Sequence, residues 1–267
     1  VSTADTAVKS GVVFGGTRFD GVLFDCDGVL VDSERITSRV WAGLLTGIGL
    51  PTTTEQSLAT YLGNSMARCL EIVTEQLGRT PPDTLLPQFY ADVKVALETE
   101  VTPVDGIVEV LDALDAAGVG YGVASNGEHE KMRTTLGATG LLARFEGRRF
   151  SAVDVARPKP APDLFLHAAQ MLGFDPRRTL VVEDSPLGVQ GAFTAGMTVI
   201  GYAELVSPER LVAAGAAHTV DGVCGLRSFR TTTSRRQTAG TTARSDGGVR
   251  YNKTGAPLCG RARCPLR

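Results

Sequence analysis

The sequence predicts an α/β fold: a core of parallel strands and crossover helices, interrupted after its first strand by a block of helices alone. Three observations carry that prediction. Short unbroken apolar runs end in acids or a small hydroxyl, at Val22-Leu23-Phe24-Asp25, Val123-Ala124-Ser125 and Leu180-Val181-Val182-Glu183. Strands buried on both faces of a parallel sheet read this way rather than alternating. From Pro103 onward these runs alternate with apolar stripes of helical spacing, the order expected of strand–helix–strand crossovers. Between about 37 and 102 the periodicity is helical throughout.

Composition bounds the function. The 267 residues, 43% hydrophobic and 21% charged, suffice for one large domain or two modest ones. No apolar run approaches the roughly 18–20 residues that cross a bilayer, and the first residues lack a basic segment followed by a long apolar one. The expectation is a cytoplasmic protein with no membrane association. Five cysteines form neither an even framework nor a metal-ligand spacing, which suits a reducing compartment. The net charge of −2 conceals an asymmetry, because residues 227–267 hold ten Lys and Arg against Asp246 alone, leaving 17 basic and 28 acidic residues before them. A body that acidic does not look like a nucleic-acid-binding domain, and the basic arm has little of the aromatic interleaving that a nucleic-acid groove uses.

Residues 1–17 are small and polar without periodicity and read as a flexible leader. The core is expected over 18–36 and 103–227, with its first strand at about 20–25. That strand ends in Asp25-Cys26-Asp27-Gly28, at the edge of a parallel sheet where ligands bind. Two acids two residues apart can divide work, one attacking a phosphorus atom and the other exchanging the leaving group's proton. The same pair can equally be a solvated turn. In the helical block, 37–102, Ile36, Val40 and Leu44 begin one stripe. Met66, Leu70, Val73 and Leu77 form a second, capped by Ser65 and stopped by Gly78; Leu86, Phe89, Tyr90, Val93 and Leu97 form a third.

After Pro103, Ile107, Val110, Leu111 and Leu114 make a helix that Gly118 ends, and a strand over 119–124 delivers Ser125-Asn126-Gly127. A hydroxyl there, before a helix whose first N–H groups are unpaired, can bind a phosphate oxygen or simply cap the helix. Helix 128–136 should stop at Gly137, and Phe150-Ser151-Ala152 should be a strand. Prolines on both sides of Lys159 stiffen its loop, as suits a cation aimed at an anionic transition state. The strand over 179–182 ends in Glu183-Asp184, followed by a helix that Ser185 caps and Pro186 opens. Two further carboxylates near Asp25 and Asp27 would crowd negative charge in a partly buried site; a hard cation with oxygen ligands, Mg²⁺, resolves this. Strands at 198–201 and 220–226 should complete the sheet, and 228–267, nearly devoid of large apolar residues, reads as a disordered basic tail.

The stretch Asp25 to Ser33, with Ser125, Lys159-Pro160-Ala161-Pro162-Asp163 and Glu183-Asp184 in that order, resembles the motif set of the haloacid dehalogenase superfamily, phosphatase branch. The resemblance covers roughly residues 18–226 and implies a Rossmann-like core with an inserted helical cap. It departs from the family at Pro158, where a Gly is often found, and in the tail. It implies Asp25 as the nucleophile that forms an aspartyl-phosphate, Asp27 as general acid and base, Ser125 as a phosphate ligand and Lys159 as charge clamp. The metal set it implies is Asp25, the Asp27 main-chain carbonyl and Asp184, with Glu183 acting through water. Gly28 and Asn126, and Asn64 and Ser65 of the cap, are the expected substrate contacts. True dehalogenases lack the second acid, and glucose-phosphate mutases carry an Arg where Met66 stands here. Ser125-Asn126-Gly127 with Lys131-Met132 is most similar to bacterial phosphatases of sugar phosphates, including those acting on 6-phosphogluconate. The expectation is a Mg²⁺-dependent phosphatase of small phosphomonoesters, a monomer or weak oligomer. A phosphosugar mutase of the β-phosphoglucomutase type and a non-catalytic anion-binding regulator are the alternatives.

Overall fold

The computed structural model describes residues 10–222 and the backbone of a short strand at Arg230–Thr232. Its centre is β3 (Gly21–Phe24), buried along its whole length. On one side β3 pairs in parallel with β4 (Gly120–Ser125), which pairs with β5 (Arg149–Ser151). On the other it pairs with β6 (Thr179–Glu183), followed by β7 (Thr198–Tyr202) and β8 (His218–Val220). The order β5-β4-β3-β6-β7-β8 reverses direction at β3, the Rossmann-type arrangement whose crevice lies at the strand ends beside that reversal.

The apolar runs sort to two faces with period two. Val22, Phe24, Val123, Leu180, Val182 and Ile200 join one buried cluster with α5 (Ile107–Ala117) and α6 (His129–Ala138). Leu23, Ala124, Val181 and Val199 face the other, with α7 (Asp163–Leu172) and α8 (Pro186–Thr194); Leu211 of α9 (Pro208–Ala214) belongs to it too. Both faces are covered, which explains the lack of alternation in the strands.

Between β3 and α5 lie only helices: α1 (Glu34–Gly47), α2 (Thr54–Tyr61), α3 (Met66–Leu77) and α4 (Leu85–Glu100). Thr53 and Gln56 close a capping box on α2, and Ser65 caps α3, which Gly78 ends. Their common core is aromatic, with Trp41 edge-on to Tyr61 and Phe89 at centroid distances of 6.0 and 4.9 Å. The chain leaves the core and returns to it through adjacent segments: Asp32 N–H donates to the Thr102 carbonyl and Val104 N–H to that of Leu30.

The structure corrects several expectations. The leader is not loose from residue 11 on, because β1 (Gly11–Phe14) and β2 (Thr17–Phe19) form an antiparallel hairpin. Gly15 and Gly16 both adopt positive φ in its two-residue turn, as a twisted hairpin requires, and Val12 and Phe19 bury themselves in the main core. The tail is not wholly irregular, since β9 (Arg230–Thr232) pairs antiparallel with β1; main-chain pairing leaves little trace in composition. Residues 1–9 and 233–267 lie outside the described residues, as do 223–226 of the expected last strand, whose described part is β8. Helix α6 runs through Gly137 to Ala138, an interior glycine that costs about 1 kcal/mol and is tolerated. Tyr90 is 57% exposed, so the buried stripe of α4 is Leu85, Phe89, Val93, Ala96 and Leu97.

A chain ended after residue 229 should therefore melt several degrees below one ended after residue 234, since unpairing β1 removes on the order of 1 kcal/mol or more. Differential scanning calorimetry of the two truncations checks this; equal melting temperatures would show that β9 contributes nothing.

Candidate active site

The C-terminal ends of β4, β3 and β6 bring together Ser125, Asp25 and Glu183, with Asp27 and Asp184 in the loops that follow. They line the floor of a cavity of about 960 Å³ whose opposite wall is helical, including Trp41, Tyr61, Phe89 and Tyr90. Lys159 reaches this floor from the loop before α7 and is almost completely buried, 3% exposed. Its Nζ donates to Asp25 Oδ1 and to Glu183 Oε1, both at 2.6 Å. Glu183 Oε2 accepts from the N–H and the hydroxyl of Ser185. The backbone of Lys159 is pinned by Asn126, whose amide oxygen accepts from Lys159 N–H and whose amide nitrogen donates to the Lys159 carbonyl.

Asp27 is held from two sides, its Oδ1 accepting from Ser33 Oγ at 2.7 Å and its Oδ2 from Lys131 Nζ at 2.8 Å. Burial works to raise its pKa, but the charge and hydrogen bonds of Lys131 and the Ser33 hydroxyl outweigh it and hold Asp27 below the usual carboxylate range. Asp25 goes the other way: burial, with the charges of Glu183 and Asp27, lifts it to about 7 in spite of Lys159. Burial and the neighbouring acids also push Asp184 well above its ordinary value. Two carboxylates two apart in sequence thus titrate apart, with Asp25 the more readily protonated of the pair in the metal-free site.

The expected contacts divide. Asp25, Asp27, Ser125, Asn126, Lys159, Glu183, Asp184 and Asn64 all line the cavity. Ser65 does not, because its hydroxyl accepts from Arg68 N–H as the cap of α3, and the Asn64 side-chain amide donates to the Thr60 carbonyl. Asn126 spends its side chain on Lys159. Gly28 makes room rather than contact: its φ is +76° and a Cβ there would lie 2.1 Å from Asp184 Oδ2, while its N–H donates to the Val31 carbonyl. Sequence reasoning missed Ser33 and Lys131 as partners of Asp27. Their signal was position, one at the start of α1 and the other in the first turn of the helix after Ser125.

The haloacid dehalogenase-like hydrolase profile matches residues 22–202, from the central strand through β7. The chain belongs to that family. Among its relatives, 6-phosphogluconate phosphatase of Escherichia coli (strain K12) is 33% identical over 187 residues, 70% of this chain and 83% of that protein. Hexitol phosphatase A of the same organism is 33% identical over 68% of this chain and 82% of its own. A HAD family hydrolase from Deinococcus radiodurans R1, solved with bound phosphate and sodium, is 34% identical at a TM-score of 0.69, over 79% of this chain and 94% of that one. With these relatives the chain is a phosphoric monoester hydrolase.

The residues of this HAD-type site fit a hard divalent cation. Oxygen atoms of Asp25, Glu183 and Asp184 lie within 4.8 Å of one another, all three residues being buried, and Lys159 is their one close ammonium among the described residues. Burial, with the charge of the neighbouring carboxylates, is what lifts Asp25 and Asp184, and oxygen-only ligation favours such ions. The pH dependence follows with a definite sign. Asp25 titrates near the ordinary carboxylate value of 3.8 when unfolded and at about 7 when folded, so the metal-free protein loses stability as pH rises between those values. A cation relieves that loss. Added divalent cation should raise the melting temperature more at about pH 8 than at about pH 5, and Asp184→Asn should remove most of the gain; an equal gain at both pH values would refute ligation by these carboxylates.

Proposed function

We propose that this chain is a Mg²⁺-dependent phosphatase of small phosphorylated sugars or sugar acids, working through an aspartyl-phosphate on Asp25. The observation that supports it most is the disposition of Lys159, Asp25 and Asp27 on one cavity floor, with a buried cation, a nucleophile and a separately held second acid within one loop's reach. Asp25, Asp184 and the Asp27 main-chain carbonyl would hold Mg²⁺, with Glu183 acting through water; the ion would supply charge neutralisation for an incoming phosphate. Glu183 serves a second purpose here, since it fixes the Lys159 ammonium.

The reaction then runs on this chain's own groups. Lys159 and Ser125 hold phosphate oxygens, Lys159 opposing the negative charge that otherwise repels a carboxylate attack. An oxygen of Asp25 bonds to phosphorus as the ester P–O bond breaks, and Asp27, which takes up a proton as the anionic phosphate enters beside it, delivers that proton to the departing alkoxide. Asp27, now ionised, takes a proton from water, whose oxygen attacks the same phosphorus and releases inorganic phosphate with Asp25 restored. The cavity wall favours a hydroxylated carbon chain. Trp41, Tyr61 and Phe89 offer apolar ring faces, and Trp41 Nε1 and Ser57 Oγ are buried there without a protein partner, polar atoms that need a ligand hydroxyl or water. The buried free thiols of Cys26 and Cys69 suit the reducing cytoplasm.

Phosphate release from a panel of sugar and sugar-acid monophosphates, with and without Mg²⁺, tests the reading; no release from any member would sink it. Asp25→Asn should keep the fold and lower kcat by at least about a thousandfold, and acid quenching with labelled substrate should leave label on the wild-type protein but none on the variant. Asp27→Asn should slow both formation and hydrolysis of the phosphoenzyme in rapid-quench measurements.

A further inference from the structure

The cavity carries charged side chains that the chemistry above leaves unused, among them Lys131 and, within its electrostatic reach, Glu34. Of the three lysines that line the cavity, Lys159 is enclosed between Asp25 and Glu183, and Lys94 pairs at 2.9 Å with Glu130, both well exposed. Lys131 differs from both. It stands in the first turn of α6, its Nζ touches Asp27 Oδ2, and its side chain is still 38% exposed on the cavity side. An ammonium has three donors, and Asp27 is its one hydrogen-bond partner among the described residues, although the charge of Glu34 also acts on it.

The place of that ammonium decides what it meets. Asp27 has to contact the ester oxygen to protonate it, so Lys131 lies beyond Asp27 on the leaving-group side, on the order of 6 Å from that oxygen if each contact is an ordinary hydrogen bond. The phosphate itself is addressed from the other side by Lys159. A cation at that place, facing an aromatic wall, suits a leaving group with a carbon chain and an anionic end. We infer that Lys131 binds a carboxylate on the leaving group, so that the enzyme selects phosphate monoesters of sugar acids over those of neutral sugars and alditols. The inference rests on the phosphatase reading above and narrows its substrate class.

The test compares two open-chain hexose derivatives that differ in one end group, 6-phosphogluconate and glucitol 6-phosphate, by kcat/KM. The wild-type protein should favour the carboxylate by about ten- to a hundredfold, the scale of one charge-assisted hydrogen bond, chiefly through KM. Lys131→Met should bring the two substrates to within about threefold, and Lys131→Arg, which keeps the charge, should retain most of the preference. Any effect of these changes on Asp27 is common to both substrates and cancels in the ratio. Lowered preference in the Met variant with retention in the Arg variant supports the inference. Equal rates on both substrates in the wild-type protein, or an undiminished preference in Lys131→Met, overturn it while leaving the phosphatase reading intact. Absence of phosphate release from both and from the wider panel overturns both together.

Discussion

Three carboxylates and one ammonium, taken out of water at the ends of adjacent strands, are the constraint to which the rest of the site answers. Buried charges cost several kcal/mol each unless paired and hydrogen-bonded, and the chain supplies the pairing in layers. Lys159 bridges Asp25 and Glu183; Ser185 completes Glu183; Asn126 fixes the main chain of Lys159 itself. Removing Asn126 would loosen a residue it touches only through backbone atoms, which is how a polar side chain two strands away becomes part of the charge arrangement. What these layers do not balance is the excess at Asp25 and Asp184, and that remainder of negative charge suits the floor to a cation.

The core and its chemistry were legible in the sequence because strand ends and loops announce themselves locally. A buried parallel strand is an apolar run, and the acids of Asp25-x-Asp27 and Glu183-Asp184 follow such runs directly. Lys159 was legible through the prolines around it. What stayed hidden depends on tertiary contact. That Asn126 braces the main chain of Lys159 does not show in the sequence around either residue, and nothing local shows that Lys131 reaches back 104 positions to Asp27. The hairpin of β1 and β2 was a different kind of miss: the Gly15-Gly16 turn between apolar residues was present, but the surrounding small polar residues masked it.

The floor and the wall of the cavity answer to different demands. Floor residues come from β3, β4, β6 and the loops after them, where the sheet fixes position to within a hydrogen bond. Wall residues come from α1, α2 and α4, whose stripes have only to pack, and where one exchanged side chain changes what fits without disturbing the charges below. Relatives bearing the names of different phosphatases, each about one-third identical to this chain, are what such a division permits.

The pairing of β1 with β9 sets an order in time. Gly11, Val12 and Val13 find their partners at Thr232, Thr231 and Arg230, so this ladder cannot be completed until the intervening chain, nearly all of the described residues, has been made. The central sheet makes no main-chain pairing with either strand and can assemble first, whereas this contact closes the loop of greatest sequence separation among the strand pairings of the described residues, the kind that forms late. Until then the hairpin presents an unpaired edge, open to wrong strand partners while its own is still missing.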